Sequence, residues 1–174
     1  MDFVRITPDN VSIAHHINRV VFPKYDSLIN FLDSFKEGAK DRFYLMKVGE
    51  EYVGIFGLYY YEGYPDDAWL GWFGVLPEHR GKGYGQTALA FFEDLARDRG
   101  FRYVRLFTDT YDNEEAHKFY LEHGFTEERY INENDPASLK YPISIFSKPL
   151  FAQFPLKPWG NRNIHFTKQV EKQQ

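Results

Sequence analysis

The chain is 174 residues long, room for one domain of ordinary size. Its 21 Lys and Arg against 25 Asp and Glu give a net charge of −4, with 43% apolar and 26% charged residues. Those proportions exclude a disordered chain and argue against a general nucleic-acid binder, which needs a basic face. Cysteine is absent, which excludes disulfides, thiolate metal sites and a cysteine nucleophile.

Asp2 to Ile6 reads as a short strand closed by the turn residues Thr7-Pro8-Asp9-Asn10. Two helices follow, Val11 to Val21 and Lys24 to Lys36, separated by Pro23; the second carries Leu28, Phe31, Leu32 and Phe35 on one stripe and stops by Gly38. The period then changes. Arg42 to Val48 and Tyr52 to Tyr61 form a hairpin around Gly49-Glu50-Glu51, and a polar turn leads to a third strand, Trp69 to Val75. Tyr84 to Arg99 is an amphipathic helix ending at Gly100, Phe101 to Thr108 a strand, and Asn113 to His123 a helix stopped by Gly124. Phe125 to Ile131 and Ile143 to Ser147 complete the strands around a polar loop.

The expected fold class is mixed α/β in one domain over residues 1–150. Residues 151–174 form an extension whose Phe151, Phe154, Trp159 and Phe166 suit packing on the domain or on a partner subunit. The longest mostly apolar runs are about half of the ~20 residues a membrane helix needs. The amino-terminal residues lack a signal-peptide pattern. A cytoplasmic protein without membrane or nucleic-acid partners is expected.

Val75 to Gln86 is the most informative segment. A strand ends, Pro77 turns the chain, and Gly81, Gly83 and Gly85 lead into a helix flanked by Arg80 and Lys82. Glycines let backbone approach a ligand, and a helix N-terminus favours an anion such as a pyrophosphate. A Walker A loop is excluded, because Gly81-Lys82 is followed by Gly83 rather than Ser or Thr. Gly83, Gly85 and Ala88 do satisfy the dinucleotide pattern G-x-G-x-x-A, but seven residues separate the strand end at Val75 from Gly83, and an antiparallel hairpin precedes it.

The sequence Val75-x-Pro77 followed by Arg80-x-x-Gly83-x-Gly85 resembles the acetyl-CoA motif of the GNAT superfamily of N-acetyltransferases. Asn113-x-x-Ala116-x-x-Phe119-Tyr120, closing in Gly124-Phe125, is similar to a second signature of the same family. The resemblance implies a mostly antiparallel, twisted sheet flanked by helices. It also implies direct transfer of acetyl from acetyl-CoA to a primary amine of a small molecule or peptide, without a metal. On this resemblance the backbone of Phe73, Gly74 and Val75 would bond the acetyl and pantetheine groups. Arg80, Gly81, Lys82, Gly83, Tyr84, Gly85 and Gln86 would hold the pyrophosphate, Asn113 the pantetheine arm, and Tyr120 would be the general acid. Homodimers are frequent in the family, and the aromatic tail offers an interface.

Two rival readings stand beside it: a non-catalytic acyl-CoA-binding regulatory domain and an NAD-dependent oxidoreductase. The first gains weight from a departure: some members carry a Glu near the position of Trp69, and no acid lies between Trp69 and Val75. The candidates for a general base are Glu62, Asp66, Asp67 and Asp109, none singled out by the sequence. Tyr59 to Tyr64 and the Tyr130 to Tyr141 loop would line the acceptor pocket and suit a cationic or amphipathic amine. The six histidines, His15, His16, His79, His117, His123 and His165, show no metal-ligand spacing and read as surface or packing residues.

Overall fold

Alternation along the strands and a 3.6-residue period along the helices place the elements almost where the sequence does. The computed structural model describes residues 1–109, 113–132, 139–140, 143–160 and 162. The chain divides into two compact units, Met1–Phe101 and the residues from Arg102 onward.

The first unit runs β1 (Asp2–Arg5), α1 (Val11–Val21), α2 (Leu28–Asp33), β2 (Arg42–Val48), β3 (Glu51–Tyr59), β4 (Asp67–Val75), a 3-10 turn (Pro77–His79) and α3 (Tyr84–Asp98). Its four strands pair antiparallel in the order β1-β2-β3-β4. Successive side chains leave opposite faces of each strand. Phe43, Leu45 and Ile55 therefore meet Ala14, Ile17 and Phe31 of α1 and α2 on one face. Phe3, Tyr44 and Phe56 meet Phe91 and Phe92 of α3 on the other, with Phe3 stacked on Phe91 at 4.1 Å. Phe56 and Phe92 are fully buried, each worth roughly 1.5–3 kcal/mol relative to exposure.

The second helix is shorter than expected. Asp26 Oδ1 accepts the Leu28 N–H at 2.9 Å just before it, and the Ser34 hydroxyl donates to the Phe31 carbonyl at 2.6 Å at its end. Phe31 is fully buried while Leu32 is half-exposed, so one aromatic rather than a continuous stripe anchors α2.

In β4 the ladder breaks. Gly71 pairs with Gly57 and Gly74 with Ile55, so Trp72 and Phe73 together face Phe56. This is a β-bulge, and Trp72 within it has φ +49, a value that a side chain rarely accepts.

The second unit holds β5 (Tyr103–Asp109), α4 (Glu114–Glu122), β6 (Thr126–Tyr130) and β7 (Ile143–Pro149). The strands pair antiparallel in the order β5-β7-β6. Arg105 of β5 is fully buried; its Nη1 donates to Ser147 Oγ at 2.8 Å and its guanidinium lies 5.5 Å from the Trp159 ring. Tyr103 donates its hydroxyl proton to the Pro155 carbonyl at 3.0 Å, and Arg102 sits 4.5 Å over Phe154. The stretch 150–160 thus packs within this unit. His165 and Phe166 lie outside the described residues, as do residues 133–138 and 141–142 of the polar loop.

Candidate functional site

The end of β4 is tied down before the glycines begin. Leu76 N–H donates to the Val53 carbonyl at 2.8 Å, and Arg80 Nε reaches back to the Val75 carbonyl at 3.0 Å. One guanidinium N–H of Arg80 therefore holds the loop, and the side chain remains exposed beside Lys82. Gly81 and Gly83 take φ +74 and +80, and beyond the adjoining residues no described atom lies within 4 Å of where a Cβ would stand at either. Gly83 is the N-cap of α3, has no side-chain cap, and leads into a first turn without an acidic residue. The Thr87 hydroxyl and N–H both go to the Gly83 carbonyl at 3.1 Å.

The first-turn N–H groups of Tyr84, Gly85 and Gln86 thus point out of a helix end, where geometry denies them intrahelical acceptors. Open space over left-handed glycines, free helix-end donors and two exposed cations fit a pyrophosphate. Each hydrogen bond to such a charge is worth about 1.5–3 kcal/mol.

Upstream, Phe73, Gly74 and Val75 occupy the strand that feeds this loop. A Cβ on Gly74 would stand 2.2 Å from Val21 Cγ1 and 3.3 Å from the Phe22 ring, so glycine there lets the end of α1 lie against β4. Phe22 also meets Trp72 edge-on at 5.5 Å. The bulge at Trp72 has no signal in the sequence beyond the glycines flanking it at positions 71 and 74.

Tyr59, Tyr61 and Trp69 form one aromatic cluster, with rings 5.4–6.1 Å apart. Burial and the neighbouring Tyr61 push the Tyr59 hydroxyl well above the usual phenol range. Of the acids considered as base, Glu62 is exposed, Asp66 half-buried and Asp67 buried at 2% exposure. The side chain of Asp109 lies outside what is described. Asp41, which sequence reasoning passed over, has its carboxyl pushed up by burial, opposed by a hydrogen bond from the Tyr60 backbone.

In the second unit Asn113 is the N-cap of α4, and its Nδ2 donates to Thr108 Oγ1 at 2.6 Å. Tyr120 is 7% exposed, packed against Phe119, Phe125 and Phe146, and burial pushes its phenol above the usual range. His117 Nδ1 lies 3.1 Å from Glu127 Oε1, so this histidine is not a bare surface residue. An open groove of about 330 Å³ runs along α4, lined by Asn113, His117 and Lys118 among others. Among the described residues no group of His, Asp and Glu is arranged to hold a metal. No helix among them is long and apolar enough to cross a membrane.

The glycine loop and the α4 signature both fall within residues 11–125, over which the chain matches the sequence pattern of the acetyltransferase (GNAT) family. The chain belongs to that family. The GNAT fold also recurs in solved structures. A protein of the GNAT family from Desulfovibrio desulfuricans superposes with a TM-score of 0.73 at 14% identity, covering 86% of this chain and 99% of that one. The ribosomal-protein-S18-alanine N-acetyltransferase from Escherichia coli gives 0.67 at 18% identity, covering 90% and 99%. An aminoglycoside 6'-N-acetyltransferase complexed with coenzyme A gives 0.69 at 17% identity, covering 91% and 100%. At these identities the likeness shows the fold: mixed α/β, mostly antiparallel, with flanking helices. No curated protein matches the chain.

Proposed function

We propose that the protein transfers an acetyl group from acetyl-CoA to a primary amine of a small molecule or peptide. The observation that carries this is the anion cradle at the start of α3, where Gly81 and Gly83 hold left-handed backbone under open space. Membership of the GNAT family and the coenzyme A complex of a structural neighbour support the choice of ligand. The amides from Gly81 to Gln86, with Arg80 and Lys82, hold the pyrophosphate. Phe73, Gly74 and Val75 offer strand backbone to the pantetheine and acetyl groups, and Asn113 bonds the pantetheine arm. When bound, acetyl-CoA supplies the activated acetyl group as a thioester.

Tyr120 then serves the leaving sulfur. Its phenol is held neutral by burial, and a phenol is already a weaker acid than a thiol, ~10 against ~8.5. Donating a hydrogen bond, rather than surrendering the proton, is therefore its contribution to stabilising the developing thiolate. The acceptor must attack as the neutral amine, although a lysine-like amine lies ~3 units below its pKa at neutral pH, so a base is needed.

Cytoplasmic residence and homodimer formation complete the reading. A purely acyl-CoA-binding role would need the same cradle and is separated by turnover alone. The test is mass spectrometry of products after incubation with acetyl-CoA and spermidine, kanamycin or an alanyl peptide. A mass gain of one acetyl group on any of them, dependent on protein, is expected. Tight CoA binding with no acetylated product from any amine would favour the binding role.

A further inference from the structure

Buried hydrogen-bonding groups are met either by protein or by bound water, so a pair of orphans in one place calls for a ligand. The corner between α1 and α2 contains such a pair. Asn18 and Ser27 are both fully buried, and among the described residues neither Asn18 Nδ2 nor Ser27 Oγ has a hydrogen-bond partner. The two residues touch, because the Ser27 N–H donates to Asn18 Oδ1 at 3.2 Å. That bond fixes which way the amide faces. Turning the Asn18 side chain over would set its NH2 against the Ser27 N–H, donor against donor, so the flip satisfies nothing.

The serine is equally committed. It stands at the N-cap of α2, where a hydroxyl ordinarily accepts from the first turn, yet it makes no such bond. Asp26 Oδ1 takes the Leu28 N–H instead, at 2.9 Å, and the Ser27 hydroxyl stays buried. The surroundings then select the ligand. Ala14 and Ile17 of α1 and Phe31 of α2 are buried in an apolar core. The charged groups of the corner, His15 and Asp26, pair with each other at 3.1 Å on the exposed side, and Arg19 of α1 is exposed. An amide NH2 repels a cation, and an anion would meet no buried cation on either helix. What fits is neutral, accepts from Nδ2, exchanges a hydrogen bond with a hydroxyl and is small enough for a packed interior. That is one water molecule.

We propose that the α1–α2 corner is a binding site for one buried water, which accepts from Asn18 Nδ2 and donates to Ser27 Oγ. The site is independent of the acetyltransferase reading. Its place in the fold gives it a structural task, because the turn of α1 that carries Asn18 ends in Val21 and Phe22. The Phe22 N–H donates to the Asn18 carbonyl at 2.7 Å, Val21 fills the space over Gly74, and Phe22 meets Trp72 edge-on. A water that fixes Asn18 thereby helps to seat the end of α1 on β4.

A crystal structure of the wild-type protein, at a resolution that shows ordered solvent, tests the site directly. It should contain one water within hydrogen-bond distance of both Asn18 Nδ2 and Ser27 Oγ. Thermal unfolding of Ser27→Ala gives a second reading, whose sign differs between the two cases. The hydroxyl caps nothing, so no capping loss enters the comparison. If the hydroxyl holds the water, removing it strands Asn18 Nδ2 and should lower Tm by roughly 2–4 °C. If the hydroxyl is a plain orphan, removing it relieves a buried polar group and Tm stays level or rises. A crystal structure without a water shared by the two atoms overturns the proposal, as does a Ser27→Ala protein at least as stable as wild type.

Discussion

The loop at residues 80–86 and the helix at 114–122 both serve the proposed reaction, but they are made of different material. The loop works through backbone: left-handed glycines and helix-end amides around open space. The roles proposed for the α4 region fall to side chains: the Tyr120 phenol in an aromatic nest and Asn113 on Thr108. A backbone cradle has to be written in glycine, so it can be read from sequence. A side-chain constellation draws its partners from distant elements, so the sequence names Asn113 and Tyr120 through their signature but not Thr108, Phe125 and Phe146, which hold them.

Four substitutions break or sharpen that contrast. The largest effect is expected where side chains carry a whole unit. Trp159 is 1% exposed between Arg105 and Arg162, with ring-to-guanidinium distances of 5.5 and 3.9 Å. Trp159→Ala should cost about 3–5 kcal/mol of stability, read by denaturant unfolding. Next is the backbone cradle. Gly83→Val forces a β-branched residue to φ +80 and places its methyl groups where the ligand's phosphates are expected. CoA affinity should fall at least ~100-fold by calorimetry, about 2.7 kcal/mol. Unchanged affinity in a folded Gly83→Val protein would remove the cradle from the account.

Tyr120→Phe should be smaller and of another kind, a drop in kcat of about 10- to 100-fold with CoA affinity nearly unchanged. Loss of CoA affinity instead would make Tyr120 a packing residue only. The buried phenols also set an alkaline limit. With its folded-state pKa raised, Tyr120 contributes stability that is complete below pH ~10 and is lost as pH rises from there toward the folded-state value. Urea unfolding across pH 8–11 should show the decline, and Tyr120→Phe should make it shallower.

The smallest effect belongs to Asp41. Burial raises its carboxyl, so the folded state favours the neutral form and ionisation at neutral pH works against folding. Asp41→Asn, which keeps an oxygen for the Tyr60 N–H, should leave neutral-pH stability equal or slightly higher. It should also remove a small fall in stability as pH rises through the carboxylate range. A marked destabilisation would show that the charge itself is needed.

Local patterns located most elements because local and tertiary preferences agree. The spans Arg42–Val48 and Val11–Val21 match the sequence reading end to end. At α2 they disagree: the apolar spacing continues past Asp33, but Ser34 closes the helix and Leu32 faces outward. The bulge at Trp72 is illegible because a tryptophan at positive φ contradicts its own preference and is held by the paired glycines and Phe22 around it. His117 reads as background because its partner lies ten residues on, across the Gly124 turn and on a strand whose register only the fold defines.

The most direct measurement is isothermal titration of the purified protein with acetyl-CoA, CoA and NAD, repeated on Gly83→Val. The account predicts saturable one-to-one binding of both CoA species by wild type, loss of that binding in the variant, and no binding of NAD. Binding of NAD without CoA, or of neither, would contradict the assignment of the 80–86 loop as an acetyl-CoA site.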